Sequence, residues 1–312
     1  MGVAVGLYPR AAAHFGLPWP PDLTDVAALG SRTVWLPVSW SQRALRGAPL
    51  APDSDTVTDA DLVTLCRQAH ALGLDVVLCP LVELRGADAS VWRGRIQPDA
   101  GSAWWASYER FLLRYATLAE RERVAGLVVT HELSGLSGPD MAPRWRALAA
   151  RVRQAFGGAI LAVVNHDALG ARLPWEAFDR VGVSAYFSLS TDPDATEETL
   201  VVGWSRAAAR LETFAERVAR SVFIAEVGYP SLDGAAIAPW DVTLGAPVDL
   251  EEQRRCFAAL ERNLPLMPSI DGLIVWAWLG AGGRHDRWYT PRGKPAEEVV
   301  RRILSAARSR ST

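Results

Sequence analysis

The run that decides the fold class is DVVLCPLVEL, residues Asp75–Leu84, an almost unbroken series of apolar residues. A long helical pattern follows it over Trp104–Glu122, and a second apolar run, GLVVTHEL, follows at Gly126–Leu133. Continuous apolar character, without strict alternation, is typical of strands that are buried on both faces of a parallel sheet. The order strand, helix, strand therefore predicts a parallel βαβ unit.

The same alternation extends in both directions along the chain. Further strands are predicted at Val3–Tyr8, Thr33–Trp40, Ala159–Asn165, Val181–Phe187, Ser221–Tyr229 and Asp271–Trp278. Further helices are predicted at Thr58–Leu72, Ala142–Phe156, Thr196–Ala219, Asp249–Asn263 and Pro295–Ala307, with short ones at Leu23–Leu29 and Trp175–Asp179. Eight strands alternating with helices predict an α/β protein, a single-domain (β/α)₈ TIM barrel over residues 1–312. The rival is a doubly wound open sheet, but GLYPRAAAHFG, residues 6–16, lacks the G-x-G-x-x-G turn expected after its first strand.

The composition excludes several classes of function. Lys plus Arg number 33 and Asp plus Glu 35, a net charge of −2, so neither a nucleic acid nor an anionic membrane surface is an expected partner. Three widely spaced cysteines predict neither a disulfide framework nor a zinc site, and no cofactor is expected. No apolar run is long enough to cross a bilayer and no signal peptide is evident, which favours the cytoplasm; a secreted chain without its leader would look the same. The oligomeric state is not indicated.

Two glutamates stand where barrel enzymes carry out their chemistry. Glu132 ends the fourth predicted strand and Glu226 ends the seventh, and the long loops that follow the strands belong to the catalytic face of a barrel. A carboxylate in such apolar surroundings is costly unless it has a partner or a function. Two carboxylates facing each other across a barrel mouth are what glycoside hydrolysis requires, with a separation of roughly 5–5.5 Å for retention and roughly 6.5–9.5 Å for inversion.

Aromatic and amide side chains surround these two positions. The chain has 13 Trp against 8 Phe and 6 Tyr, and indole rings form platforms for sugar rings as well as core contacts. Candidate ligand contacts are Trp40, Trp92, His131, Asn165, His166, Tyr186, Trp276, Trp278 and Trp288, with Trp240 in the same set of loops. Packing is the preferred interpretation for Trp35, Trp145 and Trp204. The set predicts a neutral, polyhydroxylated ligand.

Several motifs together resemble the clan A glycoside hydrolases, and among them family 113, the (β/α)₈ β-mannanases. They are WRGRIQP (Trp92–Pro98), WWASYERFLLRYATLAE (Trp104–Glu120), HEL (His131–Leu133), AYFSL (Ala185–Leu189), IAEVGY (Ile224–Tyr229), VWAW (Val275–Trp278) and YTPRGKPA (Tyr289–Ala296). The resemblance implies a retaining endo-β-1,4-mannanase with Glu132 as general acid/base and Glu226 as nucleophile. It also implies that Trp276 lies near the cleaved sugar and that Asn165 and Tyr186 border the subsites. His131 departs from the pattern of many clan A enzymes, in which an Asn at this position contacts the sugar 2-hydroxyl.

Several alternatives stay open from the sequence. The chain could be a non-catalytic carbohydrate-binding barrel or a glycosidase with another sugar specificity. The glycine-rich Gly280–Arg284 could form a phosphate loop, although no helix start follows it closely. His131, Glu132, His166 and Glu226 could bind a metal, but their spacing matches no metal motif, and no metal is expected. Glu83 and Arg85 could line the site or form a surface ion pair.

Overall fold

The eight strands close into a parallel barrel in the order β1 to β8 in the computed structural model, which describes residues 1–99, 101–243 and 245–306. The strands are β1 Gly2–Val5, β2 Thr33–Gln42, β3 Asp75–Leu84, β4 Gly126–His131, β5 Ala159–Asn165, β6 Arg180–Ser184, β7 Val222–Val227 and β8 Ile270–Trp278. The helices are α1 Pro9–His14, α2 Thr24–Ala28, α3 Asp59–Ala71, α4 Trp104–Arg121, α5 Ala142–Ala155, α6 Glu197–Val218, α7 Leu250–Asn263 and α8 Ala296–Ala306. The predicted (β/α)₈ barrel is confirmed.

Most observed strand and helix boundaries lie within a few residues of the predicted ones, and β3 and β5 begin and end at the predicted residues. The first strand ends at Val5, short of the predicted Tyr8, and helix α1, which the sequence pattern does not predict, begins at Pro9. Proline suits the first turn of a helix, where a missing N–H costs nothing. The predicted helix Trp175–Asp179 is a single 3-10 turn at Trp175–Ala177, and the predicted helix end at Ala307 lies outside the described residues.

Hydroxyl and carboxylate caps begin three of the longer helices, α3, α6 and α7. The side chain of Thr58 accepts a hydrogen bond from the N–H of Asp61, and Thr196 does the same for Thr199. Asp249 accepts from the N–H groups of Glu251 and Glu252. Each cap satisfies N–H groups that have no partner within the helix, so these three starts are fixed by local chemistry.

Contacts between residues group the chain into two compact units. One comprises Met1–Gly6, Thr24–Val34 and the chain from Val183 onward, and the other comprises Leu7–Leu23 and Trp35–Gly182. In the first, fully buried Trp204 donates to the hydroxyl of Tyr229 at 2.9 Å. In the second, Trp104 stacks on Tyr108 with ring centroids 4.8 Å apart.

Three tryptophans serve packing, as predicted: Trp35, Trp145 and Trp204 are all buried. Trp104 is buried as well, whereas its neighbour Trp105 keeps partial exposure. The tryptophan excess therefore has a large core component. Over the stretches that the structure describes, no helix combines the length and apolarity needed to span a membrane.

Candidate active site

The first candidate carboxylate is Glu132, the residue directly after β4. It is buried, with 6% of its surface exposed, and its Oε2 atom lies 3.3 Å from the indole Nε1 of Trp92, which donates to it. The guanidinium of Arg93 donates to the same oxygen at 3.5 Å through Nη1, and to Glu83 Oε1 at 3.0 Å through Nη2. We call Glu83, Trp92, Arg93 and Glu132 the Glu132 cluster. A buried carboxylate with these donors meets the requirement for a compensated charge.

The backbone at Glu132 is left-handed, with φ of 57°. For a residue with a Cβ atom, this conformation is less favourable than the right-handed one by about 1–2 kcal/mol of free energy, so the surrounding structure must impose it. The N–H of Glu132 donates to the carbonyl of Val163 on β5 at 2.9 Å, which fixes the residue at the strand end. Strain of this kind concentrates at functional sites, so the outlier supports a role for Glu132 beyond packing.

Arg93 is the member of the Glu132 cluster that the sequence interpretation missed. The sequence left open whether Glu83 and Arg85 line the site or form an ion pair. Glu83 binds Arg93 at 3.0 Å, whereas Arg85 binds Asp53 at 3.1 Å and Asp55 at 3.3 Å. Arg93 directly follows Trp92 in the WRGRIQP motif, and this adjacency to a candidate contact was the available signal. Of the two residues considered, Glu83 alone joins the cluster.

The second candidate carboxylate is Glu226, near the end of β7 and 5% exposed. The hydroxyl of Tyr186 donates to Glu226 Oε2 at 2.8 Å, and the Tyr186 ring meets the Tyr289 ring edge to face at 6.1 Å between centroids. We call Tyr186, Glu226 and Tyr289 the Glu226 cluster. This hydrogen bond fixes the orientation of the Glu226 carboxylate, and a nucleophile must be held in line with the atom that it attacks.

A glycine permits the close packing beside Glu226. A Cβ atom built on Gly228 would lie 2.0 Å from the carbonyl oxygen of Trp276 on β8, a distance no side chain tolerates. The peptide bond between Trp276 and Ala277 is cis. The IAEVGY motif thus needs glycine at this position so that the backbone after Glu226 can approach the end of β8.

Substitution of Tyr186 by Phe tests the support that its hydroxyl gives to Glu226. We expect kcat to fall by about tenfold to a hundredfold, because a charge-assisted hydrogen bond contributes about 1.5–3 kcal/mol. Folding should be unaffected, since the ring and its contact with Tyr289 remain. Tyr115→Phe, at a buried tyrosine of helix α4, is the matched control and should keep wild-type kcat. Equal kcat in wild type and Tyr186→Phe would show that the hydroxyl has no part in the reaction.

The other candidate contacts differ in how much surface they offer a ligand. Trp276 is partly exposed, whereas Trp278 is buried and lies under the Arg292 guanidinium, 5.6 Å from its ring centroid. Trp40 is partly exposed and stacks on Phe111 at 5.1 Å, so packing occupies part of its ring. Trp288 is exposed, at 42%. Trp276 and Trp288 are the better candidates for sugar contact.

The polar candidates lie at the ends of β4 and β5. Asn165 is buried, donates to Asp167 Oδ1 at 2.9 Å and lies 3.1 Å from His166 Nδ1 through its own Oδ1. His131, the last residue of β4, is also buried. The three side chains remain candidates for hydrogen bonds to sugar hydroxyls, a role that stays a prediction.

The glycine-rich loop after β8 has a backbone explanation. Gly280, Gly282 and Gly283 have φ between 64° and 86°, and a Cβ on Gly282 would lie 2.1 Å from the carbonyl oxygen of Arg292. These glycines let the loop turn tightly, which removes the reason to assign it to phosphate. In the described part of the chain, no group of three or more His, Cys, Asp and Glu residues is arranged to hold a metal ion.

Comparison with known proteins gives a consistent set of relatives. The model of Glycoside Hydrolase Family 113 matches residues 22–288. The β-mannanase AaManA from Alicyclobacillus acidocaldarius, solved in complex with ManMIm, is 27% identical, with a TM-score of 0.81 over 98% of this chain and 97% of that chain. A second family 113 β-1,4-mannanase, solved as a complex, is 22% identical, with a TM-score of 0.82 over 98% of both chains.

More distant structures share the fold. A fungal β-1,4-galactanase is 15% identical, with a TM-score of 0.61 over 96% of this chain and 98% of that chain. A search of curated proteins found no match. The structural likeness thus extends beyond the family over nearly the whole barrel.

Proposed function

From the premise that the chain belongs to Glycoside Hydrolase Family 113, we propose that it is a retaining endo-glycosidase that cleaves β-1,4-linked mannan. The observation that carries the proposal is the pair of buried glutamates, Glu132 and Glu226, each at the carboxyl end of a barrel strand and each held by donors. The carboxyl ends of the strands are where barrel enzymes place their catalytic groups. The similarity to the β-mannanase AaManA supports mannan as the substrate.

In the proposed first step, Glu226 attacks the anomeric carbon from the α face while Glu132 gives its proton to the glycosidic oxygen. The bond from the anomeric carbon to that oxygen breaks, the shortened chain leaves as an alcohol, and a covalent α-glycosyl ester forms on Glu226. In the second step Glu132, now ionised, takes a proton from water, and the water oxygen displaces Glu226. Two inversions give net retention of the β configuration.

The hydrogen-bond donors in each cluster fix the orientation of its carboxyl group. Tyr186 holds the Glu226 carboxylate in one orientation, both for the attack and for its departure when the ester is hydrolysed. Trp92 and Arg93 contact Glu132 from the loop after β3, so this loop orients the proton donor. Trp92 therefore has a second role besides the sugar contact that the sequence predicted.

The stereochemistry of the first product tests the proposal. Mannohexaose is incubated with the enzyme in an NMR tube, and the anomeric proton signals are followed before mutarotation equilibrates them. We expect the new reducing ends to appear first as the β anomer. Initial appearance of the α anomer would overturn the double displacement, and an enzyme that binds mannohexaose without cleaving it would support the carbohydrate-binding alternative.

A further inference from the structure

Lys294 is the only lysine among the 33 Lys and Arg residues, and its side chain is fully buried. Its Nζ donates to Ser231 Oγ at 2.6 Å, to Asp286 Oδ1 at 2.8 Å and to the carbonyl oxygen of Trp288 at 3.0 Å. An ammonium group has three donors, and here they meet three acceptors. The charge is thus compensated by Asp286 and by two further hydrogen bonds, which a buried cation requires.

These contacts fix the main chain of Trp288 on both sides. Asp286 Oδ1, which binds Lys294, also accepts from the N–H of Trp288 at 2.9 Å. The carbonyl of Trp288 accepts from Lys294 and, at 3.3 Å, from the N–H and the hydroxyl of Ser231. The indole itself stays exposed. The result is a solvent-facing aromatic ring on a peptide unit that cannot move freely.

We propose that Lys294 is a positioning residue for substrate binding, which holds Trp288 so that its indole forms a rigid platform for a sugar of the bound chain. The identity of that sugar rests on the proposed function. A rigid platform binds better than a mobile one, because less conformational entropy is lost when the ligand is bound.

The choice of lysine over arginine supports this role. All the other residues in the count of 33 Lys and Arg are Arg, so the composition strongly favours guanidinium groups. A guanidinium is planar and carries five donors. This buried site has three acceptors around one point, which suits the compact ammonium group of a lysine. Burial lowers the pKa of Lys294, and Asp286 opposes that effect. Burying an ammonium group costs free energy, and the structural effect of this buried group is to fix the loop that carries Trp288.

The next residue links the same loop to the Glu226 cluster. Tyr289 donates through its hydroxyl to the carbonyl of Pro239 at 2.8 Å, and its own carbonyl accepts from Gln253 at 3.1 Å. Its ring contacts that of Tyr186. Because Tyr289 has these separate anchors, loss of Lys294 should loosen Trp288 more than Tyr289, and binding should suffer more than turnover.

The first experiment measures hydrogen–deuterium exchange in Lys294→Met, which removes the charge and keeps the length of the side chain. We expect exchange in a peptide covering residues 284–290 to become at least about tenfold faster. Arg302→Met, which breaks an exposed ion pair of α8 with Glu261, is the matched control and should leave that peptide unchanged. This readout needs no substrate, so it separates failure of this inference from failure of the proposed function. Unchanged exchange in Lys294→Met would overturn the inference.

The second experiment is a double-mutant cycle with Trp288→Ala, read as kcat/KM on mannohexaose. Each single variant should lower kcat/KM by about threefold to tenfold, mainly through KM, which corresponds to the loss of one aromatic contact. The double variant should lose little more than either single variant, because the ring cannot act once its support is gone. Additive losses, or a loss confined to kcat, would overturn the inference. If Lys294→Met does not fold, Ser231→Ala removes one acceptor and should give smaller changes in the same directions.

Discussion

Glu226→Ala is expected to abolish mannan hydrolysis, with kcat lowered by at least about 10⁴-fold. The reason is that the proposed reaction has no step that avoids the ester on Glu226, and catalysis falls to the residual level when a nucleophile is removed. Substrate binding should persist, because the aromatic contacts remain. The measurement is reducing-end release from mannan together with calorimetric binding of mannohexaose. Glu261→Ala, at a half-buried glutamate of α7, is the control and should retain wild-type kcat.

Azide distinguishes a missing nucleophile from a damaged fold. In Glu226→Ala a small anion can occupy the space of the lost carboxylate and attack the anomeric carbon from the α face. With an activated aryl β-mannoside, added azide should therefore restore turnover and yield the α-mannosyl azide by a single inversion. Formation of the β-mannosyl azide in this variant would reverse the roles of the two glutamates, and a kcat above a hundredth of wild type would remove Glu226 from the mechanism.

The barrel could be predicted from sequence because its signals are local. Strands such as DVVLCPLVEL are buried on both faces, so nearly every residue is apolar and the run stands out at any position. Helix α1 was missed because six residues are too few to show a periodic pattern, and only Pro9 marks its start.

The candidate site was predictable in part, for a related reason. A carboxylate at a strand end is visible in the sequence, and this identified Glu132 and Glu226. Their partners are not, since Tyr186 and Glu226 are 40 residues apart and Trp92 and Glu132 are also 40 apart. Lys294 shows the same limit: in the sequence it is one exception in an Arg-rich composition, and its three acceptors come together only on folding.

Replacement of Glu132 should slow hydrolysis of substrates with a poor leaving group far more than hydrolysis of substrates with a good one. We expect Glu132→Ala to lower kcat on mannan by about 10²- to 10⁴-fold, because the departing sugar hydroxyl needs a proton from a general acid. The dinitrophenolate of a 2,4-dinitrophenyl β-mannoside leaves without that proton, so the first step with this substrate should be almost unaffected. The second step still needs Glu132 as base. Rapid-mixing measurements should therefore show a burst of dinitrophenol equal to the enzyme concentration, followed by slow turnover.

Two further readouts connect this behaviour to Glu132 itself. Azide added to Glu132→Ala should attack the glycosyl ester from the β face, raise the steady-state rate and yield the β-mannosyl azide, the opposite anomer to that from Glu226→Ala. The pH profile of kcat/KM for mannan should be bell-shaped in the wild type, since one carboxyl must be protonated and the other ionised. In Glu132→Gln the alkaline limb should shift or vanish, because the group that loses its proton there is gone. An unchanged alkaline limb, or equal losses on mannan and on the dinitrophenyl substrate, would assign the proton donor to another residue; Arg93 and Trp92 would then orient a carboxylate with no part in leaving-group departure.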